Sequence, residues 1–207
     1  MKTSSFWSEK NKSRYQAAVD KLIAEIKELD KKYFDKTGNH FIRFVESRLK
    51  DPESIANKLK RKNKLDVEDI ASVINDLAGV RVICFDTKQI YKLARMIGEC
   101  SQFEVIKIKD YVRKQKDNGY QSYHIILNID GVKVELQIRT ILMDAWSSLD
   151  GILIYKKSVP ISDEMKNDIK KFAKWSRKMD KMVTKLMQGD ATPSVIDASG
   201  QSKCKKM

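Results

Sequence analysis

The chain reads as an α+β domain: a mixed β-sheet of four to five strands, flanked by helices and followed by a long C-terminal helix. Three features predict this. Val80 to Phe85 is a short apolar run rich in β-branched residues, as a buried strand would be. Residues 122–129 and 132–138 are strand-like and separated only by Asp130-Gly131, a two-residue hairpin signal. Elsewhere apolar residues recur every three or four positions, as on helices that bury one face.

In chain order, residues 9–34 predict a charged amphipathic helix with Tyr15, Val19, Leu22, Ile23, Ile26 and Leu29 on its apolar side, broken by Thr37-Gly38-Asn39. A second helix starts after Asp51, with Asp51 as N-cap and Pro52 in the first position, and runs to about Lys62. Asp66 to Asn75 reads as a third, short helix. The buried strand 80–85 follows, then a helix over 87–100 with Ile90, Leu93, Ala94 and Ile97 on one face. Phe103 to Lys109 alternates like a half-exposed strand. Tyr111 to Tyr120 is a basic loop containing a glycine, and it leads into the hairpin. A helix is expected from about Thr140 to Leu149 and a last one from about Ser162 to Gln188. Residues 189–207 are polar, small and lysine-rich, the composition of a disordered tail. The expected organisation is an N-terminal helical region (1–36), a central domain (37–160), the C-terminal helix (161–188) and a basic tail (189–207).

A length of 207 residues suits one domain with helical extensions. No apolar run reaches the roughly 18–20 residues needed to cross a bilayer, and the N-terminus lacks the apolar core of a signal peptide. Cys84, Cys100 and Cys204 are odd in number and lack metal-ligand spacing, so a reduced cytoplasm is the expected setting, with no membrane partner. The net charge of +13 points to an anionic partner such as nucleotide phosphate or RNA.

Most familiar phosphate motifs are absent: no Walker loop, no G-x-G-x-x-G, no kinase signature. With only His40 and His124 in the chain, a metal would have to be held by carboxylate oxygens, which favours Mg²⁺ or Mn²⁺ and phosphate chemistry. Four segments stand out. Residues 47–62 place Arg48 and Lys50 before a helix N-terminus, and Lys58 and Arg61 on one face of that helix. This is either a phosphate site or a solvated basic face. In residues 75–84, Asp76 and Arg81 flank the entrance to the buried strand. Residues 109–124 mix cations and aromatics in a loop suited to stacking on a base while gripping phosphates. In Val134-Glu135-Leu136-Gln137-Ile138-Arg139-Thr140, alternation puts Glu135, Gln137 and Arg139 on one strand face. An acid, an amide and a guanidinium in a row do not suit a core.

Taken in order, D-Y-x₄-K-x-N-G-Y-x-S-x-H followed by V-E-x-Q-I-R-T resembles the synthetase domain of RelA/SpoT-type alarmone synthetases over about residues 40–157, and in length the small, single-domain members. The resemblance implies a nucleotidyltransferase-like synthetase fold and transfer of the β,γ-pyrophosphate of ATP to the ribose 3′-hydroxyl of GDP or GTP, the stringent-response reaction. It implies ATP binding by Arg48, Lys50, Ser54, Lys58 and Arg61, with Arg81 near the phosphates. Asp76 would bind Mg²⁺, and Glu135 would assist the metal and deprotonate the attacking hydroxyl. Tyr120 would stack on the guanine, Lys109, Lys116, Asn118 and His124 would surround the acceptor, and Gln137 and Arg139 would complete the active-site strand.

The chain departs from the family where W-x-S-L-E-H is usual: it has Trp146-Ser147-Ser148-Leu149-Asp150-Gly151. The change bears on the acceptor more than on ATP. Some small members are toxins that pyrophosphorylate the 3′ end of tRNA, and the +13 charge suits an RNA acceptor too. A catalytically silent RNA-binding relict is a third reading, against which stands the retention of both Asp76 and Glu135. On the last helix, Met165, Ile169, Phe172, Met179, Val183 and Leu186 form an apolar stripe widened by Trp175 and Met182. The stripe would pack on the chain's own sheet, form a homo-oligomer interface, or dock a neutralising antitoxin.

Overall fold

The computed structural model describes residues 6–155 and 162–189, so the expected tail over 189–207 lies, apart from Gly189, outside the described residues. Helix α1 spans Glu9–Thr37, capped at its start by Ser8 and stopped by Gly38 in the left-handed conformation (φ 71°), which a residue without Cβ adopts at no steric cost. It runs three residues past 34, up to the predicted break at Thr37-Gly38-Asn39. Tyr15, Ala18, Val19, Leu22, Ile26 and Leu29 are its buried face.

Strand β1 (Ile42–Leu49) has no counterpart among the segments read from the sequence. Only Ile42, Val45 and Leu49 are half-buried, at spacings of three and four, so the period of two never shows. A bulge between Ile42 and Phe44 and a charged, exposed edge account for this. Helix α2 (Pro52–Arg61) starts where predicted, with Asp51 accepting from the Ser54 amide. The third helix is a single turn, α3 (Ile70–Val73), rather than the ten residues expected. Asp69, not Asp66, caps it, and Ile74 turns extended because Ile74 and Leu77 are drawn fully into the core.

Strand β2 (Ala78–Cys84), helix α4 (Thr87–Gly98), and strands β3 (Glu104–Asp110), β4 (Tyr123–Ile129) and β5 (Val132–Thr140) follow close to expectation. Asp86 and Gln89 form a reciprocal capping box on α4. The β4–β5 turn is the expected one, with Asp130 and Gly131 both at positive φ (51° and 75°). Helix α5 (Ile141–Asp150) runs directly out of β5 and continues as a π-turn over Gly151–Tyr155; helix α6 spans Asp163–Gly189.

The sheet is mixed, in the order β1-β2-β5-β4-β3; β2 and β5 run parallel and the other pairs antiparallel. Helices α1 and α4 pack on one face, where Val80, Val82, Ile125, Leu127, Val134, Leu136 and Ile138 close one core with Leu22, Ile26, Ile90 and Leu93. Each such side chain contributes roughly 1.5–3 kcal/mol by leaving water.

The apolar stripe of α6 coincides only in part with its packing face. The buried residues are Ala173, Ser176 and Asp180, with Ile169 and Phe172 half-buried, while Trp175, Met179, Met182 and Leu186 stay exposed. Asp180 accepts from the Thr140 hydroxyl at 3.0 Å, and Thr140 in turn caps α5, so this bond ties α6 to the end of the central strand. Burial, and secondarily the nearby Asp86, pushes the Asp180 carboxyl up to about 6. A raised acid stabilises the fold below its unfolded pKa and loses that contribution as pH rises from about 4 through about 6. Asp180→Asn keeps an acceptor for Thr140 without the charge. Thermal denaturation should therefore show it more stable than the parent near pH 7.5, by roughly 2 kcal/mol, with the gain gone near pH 4.

Candidate active site

The face of β5 turned away from α1 and α4 carries Glu135, Gln137 and Arg139. Register places Gly79 and Arg81 of β2 beside Glu135 and Gln137 on one side, and Ile126 and His124 of β4 on the other. Asp76 at the entrance to β2 and Arg48, opposite Gly79 on β1, join Gly79, Arg81, Glu135 and Gln137 in lining an open cleft of about 150 Å³.

At the donor end, Asp76 faces two cations. Lys50 Nζ lies 3.1 Å from Oδ2, and Lys58 Nζ lies 2.7 Å from Oδ1, an ion pair whose angle falls outside hydrogen-bond alignment. Lys50 is fixed through its backbone, which donates to Leu77 and accepts from the Trp7 indole. Burial works to raise the Asp76 carboxyl, but Lys58 and Lys50 outweigh it and hold it below the usual carboxylate range. Arg81 Nη1 reaches Glu46 at 2.6 Å and Asp144 at 3.3 Å.

At the centre, Glu135 belongs to a closed ring of side chains. His124 Nδ1 lies 3.2 Å from one oxygen, and Gln137 donates to the other at 2.7 Å. His124 Nε2 meets the Tyr120 hydroxyl at 2.9 Å, and Arg139 Nη2 donates both to that hydroxyl (2.7 Å) and to the Gln137 carbonyl (2.9 Å). Arginine has donors only, so the ring has one consistent polarity. Tyr120 accepts from Arg139 and donates to His124, whose remaining proton at Nδ1 then points at Glu135. Burial pushes the Glu135 carboxyl up and Asp76 adds to that, yet His124 and Gln137 win and hold it low. The outcome is an ionised carboxylate on the cleft floor, oriented at both oxygens.

The two carboxylates suit a Mg²⁺ ion. They are hard oxygen donors lining one cleft. Asp76 Oδ1 is buried without a hydrogen bond, the kind of oxygen a metal would use in place of the Lys58 ammonium.

The loop between β3 and β4 is held by its own backbone: Tyr111 donates to Ser122, Lys116 to Tyr120, and Gly119 to Lys116. Asn118 accepts from the Tyr120 amide. Lys116 Nζ sits 4.8 Å from the ring centres of both Tyr111 and Tyr120, and Lys109 is the register partner of His124. Gly119 is at φ 91°, and a Cβ there would lie 2.4 Å from Ala173 Cβ on α6. Gly119→Ala therefore meets both a forbidden backbone region and an unyielding neighbour. It should cost about 2–4 kcal/mol and displace Lys116 and Tyr120, read as a lower melting temperature together with weakened acceptor binding.

Of the residues singled out in the sequence, Arg48, Asp76, Arg81, Glu135 and Gln137 meet in the cleft, with Lys50 and Lys58 joined through Asp76. Tyr120, His124 and Arg139 join through the ring. Ser54 lies on the first turn of α2, where its amide is already taken by Asp51, and Arg61 is exposed in the last turn. Asp144 and Glu46 were not read from the sequence. Asp144 contacts Arg139 five positions back, across a strand–helix junction, where neither period applies. At the position of the family departure, Asp150 is buried with Oδ1 unpartnered; burial raises its carboxyl and Lys116 opposes this.

Residues 47–159 match the family described as the region found in RelA / SpoT proteins. The chain is 33% identical over 175 residues to the GTP pyrophosphokinase YwaC of Bacillus subtilis, an alignment covering 80% of this chain and 83% of that protein. Among solved structures it resembles small alarmone synthetase 1 of Bacillus subtilis bound to its product pppGpp (TM-score 0.77, 27% identity, 86% of this chain and 95% of the other). The same synthetase bound to AMPCPP matches with a TM-score of 0.73 at 25% identity, covering 87% and 96% of the two chains.

Proposed function

Because the chain belongs to the RelA/SpoT family, we propose that it is a GTP/GDP pyrophosphokinase that moves the β,γ-pyrophosphate of ATP to the 3′-hydroxyl of GDP or GTP, releasing AMP and forming the alarmone (p)ppGpp. The single observation that carries this reading is Glu135: an ionised carboxylate on the floor of a basic cleft, held at both oxygens by His124 and Gln137.

A neutral ribose hydroxyl is a poor nucleophile, and Glu135 accepts its proton as the oxygen attacks the β-phosphorus. The bond from that phosphorus to the bridging oxygen of AMP breaks, and the electron pair leaves with AMP. Arg48, Arg81, Lys50 and Lys58 surround the triphosphate and absorb the developing charge, so most of the rate comes from alignment and neutralisation. Asp76 with Glu135 would hold Mg²⁺, which when bound supplies further neutralisation of phosphate charge. Lys116 and the Tyr111–Tyr120 aromatic pair offer the acceptor a cation and stacking faces.

The test is to offer γ-labelled ATP and Mg²⁺ with GDP, GTP or deacylated tRNA separately. Label on the guanine nucleotide establishes the synthetase. Label only on tRNA makes the chain a translation-blocking toxin, a reading that the net charge of +13 also suits. No transfer to any acceptor would reject the enzymatic reading.

A further inference from the structure

We propose that Asp144 is a positioning residue that couples the ATP side of the cleft to the acceptor side, by holding one arginine of each on a single carboxylate oxygen. The inference rests on the pyrophosphokinase reading. Asp144 stands in the first turn of α5, where the positive end of the helix favours a carboxylate. Its Oδ1 accepts from Nη1 of Arg139 at 3.1 Å and forms an ion pair at 3.3 Å with Nη1 of Arg81, which Glu46 also approaches from the exposed side at 2.6 Å. The two arginines come from adjacent parallel strands, Arg81 being the register partner of Gln137, two residues before Arg139. Two guanidiniums brought this close repel unless an anion lies between them.

The two arms differ in what they control. Arg139 has a side chain only 4% exposed, and Asp144 is its sole carboxylate partner among the described residues. A buried guanidinium without a counter-ion does not keep its place. Its remaining donors reach Ser122, the Tyr120 hydroxyl and the Gln137 carbonyl, so fixing Arg139 also fixes the ring that orients Glu135 and Tyr120. Arg81 is more open, at 28% exposed, and lines the cleft where the triphosphate would lie. Asp144 itself lines no part of that cleft and acts through the two arginines.

The opposing effect is plain electrostatics: deleting an acid near bound phosphates should strengthen nucleotide binding. The two therefore predict opposite signs. Asp144→Asn removes the charge at nearly constant shape. If Asp144 positions the arginines, calorimetry should show binding of AMPCPP and of GDP, each titrated alone, weakened about tenfold. The melting temperature should fall as well, so binding is read well below it, and Asp144→Glu should recover part of both affinities. Arg81→Gln should weaken AMPCPP alone and Arg139→Gln should weaken GDP alone. Unchanged or tighter binding of either nucleotide by Asp144→Asn would overturn the proposal, as would a loss confined to one of them. The parent protein's transfer assay stands apart, since its failure would reject the pyrophosphokinase reading and not the bridge.

Discussion

Glu135→Gln is expected to lower the rate of pyrophosphate transfer on the order of a thousandfold, with nucleotide binding in the absence of Mg²⁺ close to that of the parent protein. The substitution preserves volume and removes the base. It also leaves a local mismatch. His124 Nδ1 and Gln137 Nε2 both donate to Glu135, and an amide offers only one acceptor oxygen, so one donor must turn away. That should cost about 1–3 kcal/mol of stability, small enough for the fold to survive. Single-turnover transfer from labelled ATP, beside calorimetric binding of AMPCPP, separates the two effects. Retention of more than about a tenth of the rate would remove Glu135 from the role of base.

Asp76→Ala should be nearly as damaging to transfer, about a hundredfold or more, with the opposite sign in ground-state binding. Lys50 and Lys58, their ammonium groups now without a shared anion, become available to phosphate. Without metal, AMPCPP should therefore bind the variant at least as tightly as it binds the parent. The dependence of binding on added Mg²⁺ should flatten, because one of the two proposed ligands is gone. A variant that keeps the full Mg²⁺ dependence would show that Asp76 is not a ligand. Stability carries a separate signature. Asp76 is held below its ordinary pKa, so its contribution is present above the unfolded value and is lost as pH falls through the folded one. The alanine variant should lack that part of the acid-side slope.

The two acids also differ in what holds them ionised, and this divides the site. Two lysine ammonium charges hold Asp76, so its end of the cleft is electrostatically prepared for phosphate. A histidine and an amide hold Glu135, so its orientation is set by directional hydrogen bonds. Charge there can fluctuate with the ligand, whereas geometry cannot. The ring through Tyr120 and Arg139 thus protects the part of the site where an ångström matters most.

Much of the fold was legible in the sequence because it rests on local periodicity. Alternation in 132–140 put Val134, Leu136 and Ile138 on one face and Glu135, Gln137 and Arg139 on the other, and the sheet places them so. Asp51-Pro52, Asp130-Gly131 and Gly38 marked ends and turns through backbone chemistry that needs no distant partner. The failures share one cause. β1 is an edge strand with a bulge and three scattered half-buried residues, so only its ladder with β2 makes it a strand. The expected ten-residue helix after Asp66 shrank to one turn because burying Ile74 and Leu77 outweighed helical preference. The α6 stripe left packing, oligomer and antitoxin readings open; the helix packs through Ala173, Ser176 and Asp180, with Ile169, Phe172 and Val183 half-buried beside them, chosen by close approach and by the Thr140 bond.

By itself, then, the sequence determined the α+β class, the face of β5 that carries the chemistry, and the types of group needed to move a charged phosphate. Those follow from periods of two and 3.6 and from side-chain chemistry, which are local properties. Only the tertiary structure decided which groups touch. It set Lys50 and Lys58 on Asp76, closed the ring from Glu135 through His124, Tyr120, Arg139 and Gln137, and brought Asp144 between Arg81 and Arg139. Such pairings join residues from different strands and helices through sheet register. Register is fixed by burial of the whole opposite face, which no local pattern contains.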